Sequence, residues 1–205
     1  DPHNHVFVIF LDKHHVDLFG SHYSRQPIVE MLRKLIGPND LYGVITANIR
    51  VTDLVLQRTT TSIESQLMRH WDWGEEARGG NDPEDPFENV LDACCACDAK
   101  GLKARRREHK ALTTMMDLVA YLKTIREART TLIVFSGGWL QYKPQPGGMQ
   151  RQTPSITTRN GRLGVNEPAD SISAGQHGCV QAQTEIMMYD DERLYGDLID
   201  EAERS

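Results

Sequence analysis

Residues 6 to 11, Val-Phe-Val-Ile-Phe-Leu, are apolar without interruption and rich in β-branched and aromatic side chains. A run of that length with no polar alternation predicts a strand buried on both faces. Downstream, Ile28, Met31, Leu32, Leu35 and Ile36 recur at helical spacing, and Gly37-Pro38 stops that helix. Leu41 to Ala47 is a second apolar run, and Thr52 to Arg58 alternates as a strand does. The link between them, Asn48-Ile49-Arg50, is short enough to predict a hairpin, with the third strand antiparallel and at an edge. Thr61 is expected to open the next helix, with Glu64 three residues on as its capping-box partner.

From about 71 to 107 the pattern dissolves into turn signals and clustered cysteines, predicting an inserted loop region with a short helix at most. Within it, Arg105-Arg106-Arg107 reads as a solvated helix start. Leu112, Met115, Met116, Val119, Leu122 and Ile125 then mark a long amphipathic helix ending near Arg129. Thr131 to Ser136 is a second buried-strand run, closed by Gly137-Gly138. A further irregular insertion spans about 139 to 178 and holds a hairpin signal from Ile156 to Val165, with Asn160-Gly161 as its turn. Residues 180 to 204 read as helix.

This alternation predicts an α/β layered, mostly parallel sheet. Ligands of such sheets collect beyond the carboxyl ends of the strands. The residues there are Asp12, Lys13, His14, His15 and Asp17 after the first strand, and Ser136, Gly137 and Gly138 after the fourth. The stretch Thr59-Thr60-Thr61 is expected to face the same side.

Three phrases, Phe-Leu-Asp-Lys-His-His-Val-Asp, Thr-Thr-Thr-Ser-Ile-Glu and Phe-Ser-Gly-Gly-Trp, together with the terminal Asp-Leu-Ile-Asp-Glu-Ala-Glu-Arg, carry a resemblance. In this order they are similar to a von Willebrand factor type A (VWFA)-related domain of the bacterial, acidobacterial kind. The resemblance implies one Rossmann-like, three-layer domain over 1–205 with strand order 3-2-1-4. It also implies a noncatalytic protein-binding or adhesion module of a bacterial envelope or secreted protein. The family's metal-ion-dependent adhesion site would fall on Asp12, His14 and Thr61, but it is degenerate. His14 and Val16 stand where two serines are expected, and Gly137 stands in place of an Asp. Hard cations want more oxygen ligands than remain, whereas Asp12 with His14 suits zinc or manganese better. No other cofactor is implied. The family sheet has six strands and only four core strands are legible here, so the last two are expected to be missing. The outer edge of Thr131 to Ser136 would then be unpaired, and the opening Asp1-Pro2 without Met fits a segment of a longer protein.

The same residues admit a second reading as a haloacid dehalogenase-like phosphohydrolase. Asp12 would be its nucleophile, Ser136 its strand-ending hydroxyl and Asp190-Asp191 its acidic pair. His14 occupies the position where that class has its general acid. No Gly-x-Ser-x-Gly and no P-loop is present, so Gly137-Gly138 is read as a tight exit from the strand.

Composition narrows the partners. The chain has 205 residues, 39% apolar and 25% charged, with 29 acidic against 23 basic side chains for a net charge of −6. A balance of that sign argues against nucleic acid and anionic membrane surfaces, and the longest apolar run is too short to insert directly into a bilayer. Of four cysteines, Cys94, Cys95 and Cys97 cluster and Cys179 stands apart. Cys-x-x-Cys is absent and Cys-Cys-x-Cys with a distant Cys is an unusual zinc set, which leaves reduced thiols or one disulfide from Cys179 to a member of the cluster as the main readings. The disulfide is the expectation, and it agrees with a secreted or envelope location.

Overall fold

A computed structural model describes residues 5–58, 62–70, 81–94, 99–125, 129–146, 155–159, 162–166 and 174–204, with side chains at 94 and 155–180 outside the description. The first strand, β1 (His5–Leu11), is followed by α1 (Leu18–Leu35) and β2 (Leu41–Thr46). Then come the two-residue β3 (Gln57–Arg58), α2 (Ile63–Arg69), α3 (Phe87–Cys94), α4 (Ala99–Leu122) and β4 (Arg129–Phe135). A hairpin of β5 (Ser155–Arg159) and β6 (Arg162–Asn166) precedes α5 (Ala174–Met187) and α6 (Asp191–Glu203). The main sheet has the order β3-β2-β1-β4, parallel except for β3, which is the Rossmann-like α/β layout expected.

The apolar run of β1 is buried on both faces because each face meets a helical layer. Val6, Val8 and Phe10 pack with Ile45 against Leu112, Met115 and Leu118 of α4 and Leu198 of α6. Phe7, Ile9 and Leu11 pack with Tyr42 and Val44 against Ile28, Val29 and Leu32 of α1 and Ile63 and Leu67 of α2. Parallel registers bring Leu11, Thr46 and Phe135 level at the carboxyl end of the sheet. That end carries the loops of interest.

Several local expectations are corrected. Thr52 to Arg58 is not one strand: Val51–Asp53 is a 3-10 turn and only Gln57–Arg58 pair with β2. Residues 54 to 56 instead cross over Gly43, where a Cβ would lie 2.8 Å from Leu54 and 3.1 Å from the Val55 carbonyl. The N-cap of α2 is Ser62, with no side-chain cap bond, and Glu64 pairs with Arg33. Thr61 lies outside the described residues. The first insertion holds α3 and the first turns of a longer α4, and the basic triplet is not solvated. Arg105 donates to the Lys143 carbonyl, Arg106 is bonded to Asp85, and Arg107 to Glu88. The last helix is two helices, broken over Met188, Tyr189 and Asp190.

β4 has no neighbour on its outer side among the described residues, and its side chains are half-exposed rather than buried. A strand covered on one edge and only partly roofed keeps the β-branched character of a central strand without its burial. The hairpin strands form, β5 pairing antiparallel with β6 and, among the described residues, with no other strand; the Asn160-Gly161 turn lies outside the described residues. Among the described residues no helix is long and apolar enough to cross a membrane. The disulfide expectation falls outside the described side chains, since Cys95 and Cys97 are not described and Cys94 and Cys179 are described only as backbone.

Candidate functional site

The chain leaves β1 at Asp12, which is fully buried and whose N–H donates to the Phe135 carbonyl at 3.0 Å. Three donors converge on its carboxylate. The Ser136 hydroxyl donates at 2.6 Å and the Trp139 indole N–H at 2.8 Å, both to Oδ2, while His15 Nδ1 lies 2.8 Å from Oδ1. Ser136 Oγ in turn accepts from the Gly138 N–H, and the Gly137 N–H donates to the His15 carbonyl at 2.8 Å. The loops leaving β1 and β4 are thereby one hydrogen-bonded unit. Gly137 fits only as glycine, because a Cβ there would sit 2.2 Å from the His15 carbonyl oxygen. The Asp that the family resemblance places at this point has no room.

Lys13 and His14 turn the other way and are buried beneath residues 81 to 88. His14 Nε2 lies 3.3 Å from Asp82, and Lys13 reaches Glu84 at 3.2 Å. Asp82 also accepts from Asn48 at 2.7 Å and from the Glu84 N–H at 2.9 Å. Its own N–H donates to buried Glu88, which Arg107 holds from α4 at 2.6 Å. Asp17 caps α1, accepting from the Gly20 N–H. Thus Asp12, His15, Ser136 and Gly137 meet, His14 belongs to a neighbouring buried network, and Asp17 is a helix cap. Thr61 is not described.

Burial alone would raise the Asp82 carboxyl, but hydrogen bonds from His14 and Asn48, the Glu84 N–H and the Lys13 charge outweigh it and hold it well below the usual range. Asp85 is likewise lowered, its burial being outweighed by the hydrogen bond and charge of Arg106 and by Lys110. Carboxyls depressed in the folded state add stability above their unfolded pKa, and that stability is lost as pH falls through the folded value. Stability in urea should therefore hold down to about pH 5 and fall below about pH 4. Asp82→Asn should cost most near neutrality and progressively less in acid; a cost that does not shrink on acidification contradicts the assignment.

Chemically, Asp12 is an acceptor with its oxygens already engaged. A nucleophile or metal ligand would have one lone pair of Oδ1 left to work from. Among the described residues no three His, Cys, Asp or Glu side chains are grouped to hold a metal ion. The acidic pair of the phosphohydrolase reading is divided: Asp190 caps α6 through the Arg193 N–H, and Asp191 is buried against His109. Sequence reasoning missed Trp139, Asp82 and Glu88. Trp139 directly follows the glycine pair of the β4 exit, a local cue; Asp82 and Glu88 meet partners more than 18 residues away and gave none.

No protein-family model matches this chain, and no match is found among curated proteins or among solved structures.

Proposed function

We propose that the chain is a noncatalytic protein-binding module of VWFA type, from a bacterial secreted or envelope protein, whose adhesion-site aspartate, Asp12, has become part of a structural lock. The observation that carries this reading is the engagement of Asp12 by Ser136, Trp139 and His15, which joins the two loops and occupies the carboxylate. Next to that lock, α1 presents Phe19 and Tyr23 at 73% and 75% exposure, with Met31 and Leu35 further along the same helix also exposed. Large exposed aromatics at helical spacing beside a rigid loop pair are what a protein-contact surface requires.

An aryl phosphate assay with added magnesium separates this reading from the phosphohydrolase one. No turnover and no saturable magnesium binding are expected. Turnover that Asp12→Asn abolishes would instead make Asp12 a nucleophile and end the binding-module reading.

A further inference from the structure

A cavity of about 440 Å³ lies between the loop after β2 and one face of α4, and shares no lining residue with the Asp12 lock. Helical spacing puts Arg106, His109, Lys110 and Thr113 on that face, with Asn48 and Tyr189 opposite. The cation-bearing groups are partly open, Arg106 and Lys110 at 28% and His109 at 33%. Each is held from behind by a carboxylate at 8% exposure or less: Asp85 behind Arg106, Asp82 and Asp85 behind Lys110, and Asp191 behind His109. Arg50 and Asp117, also on the lining, carry opposite charges and offset one another.

The His109 arrangement is specific. Its Nδ1 lies 2.7 Å from Asp191 Oδ1, and its ring stacks on Tyr189 at 3.8 Å. Asp191 Oδ2 has no hydrogen-bond partner among the described residues, so His109 is the side chain that answers this buried acid. A carboxylate on one ring nitrogen and an aromatic plane on the ring face fix the imidazole, leaving Nε2 as its remaining polar atom. Arg106 is fixed similarly, between the Asp85 carboxylate and the Phe87 ring at 4.4 Å. Lys110 is fixed by Asn48. Two cationic donors and one imidazole nitrogen are thus oriented before any ligand arrives, which removes much of the ordering cost of binding.

We propose that this cavity binds the phosphoryl group of a small phosphomonoester. Arg106 and Lys110 donate to two of its terminal oxygens, and His109 Nε2, whose Nδ1–H faces Asp191, accepts the proton of a third, P–OH oxygen, a tetrahedral set that a planar carboxylate would leave one member short. The buried acids offset the charge of these cations, so the ligand is held by oriented polar groups rather than by net positive charge. A cavity of this size has room for an organic body beyond the phosphate. The site is independent of the Asp12 lock, so its failure leaves the binding-module reading intact.

Calorimetric titration of the whole chain with AMP, inorganic phosphate and adenosine tests it. AMP is expected to bind with a Kd below about 1 mM, inorganic phosphate to compete with it, and adenosine not to bind. Lys110→Met should weaken AMP by about tenfold or more, the loss of one charged hydrogen bond. Thr113 is exposed and in no ion pair, so Thr113→Trp should fill the cavity and abolish binding while the melting temperature stays unchanged. No saturable AMP binding, adenosine binding as tightly as AMP, or AMP binding untouched by Thr113→Trp would each overturn the proposal.

Discussion

Gly137→Ala is expected to lose about 3 kcal/mol of folding stability, at the upper end for an added methyl group. The reason is geometric. The new Cβ would be placed 2.2 Å from the His15 carbonyl oxygen, a backbone atom that cannot rotate away. Moving it breaks the 2.8 Å bond from the Gly137 N–H and displaces His15, one of the three donors on Asp12. Gly138→Ala is the natural control. Its φ of 106° disfavours a side chain, yet nothing lies within 4 Å of the added atom. That substitution should cost only about 1 to 2 kcal/mol of backbone strain. Urea unfolding of both variants decides the matter, and a Gly137→Ala midpoint equal to wild type would show that the two loops are not joined as described.

Asp12→Ala is expected to cost about 3 to 5 kcal/mol, the range for removing one partner of a buried charged network. Ser136, Trp139 and His15, themselves half-buried, would all lose the fully buried acceptor that they share. Trp139→Phe keeps most of the ring and drops only the N–H, and should cost about 1 kcal/mol. In a double-mutant cycle, Trp139→Phe should cost much less in the Asp12→Ala background than in wild type. Additive costs would mean the indole and carboxylate do not interact.

The sheet was largely legible from the chain because burial on two faces demands uninterrupted apolar runs, and β1 and β2 have them. The α/β order then pointed to Asp12, His15, Ser136 and Gly137, which do meet. Residues 81 to 107 were illegible for a physical reason. Their order depends on pairs such as Arg107 with Glu88 and Lys13 with Glu84, 19 and 71 residues apart, which leave no local period. The half-exposure of β4 was missed because a β-branched run does not tell how far its faces are covered. The crossing at Gly43 likewise depends on a tertiary contact that local alternation from 52 to 58 could not express.

The parallel pairing of β1 with β4 also has a consequence in time. Asp12 and Ser136, the residues that directly follow these strands and bond across them, are 124 positions apart. At about 5 to 20 residues per second, a ribosome needs roughly 6 to 25 s to synthesise that span. Throughout that interval the most apolar strand of the nascent chain has one edge still waiting for its neighbour. Such long-range closure makes for slow, late-nucleating folding, and it marks β1 as the segment with most need of chaperone cover during translation.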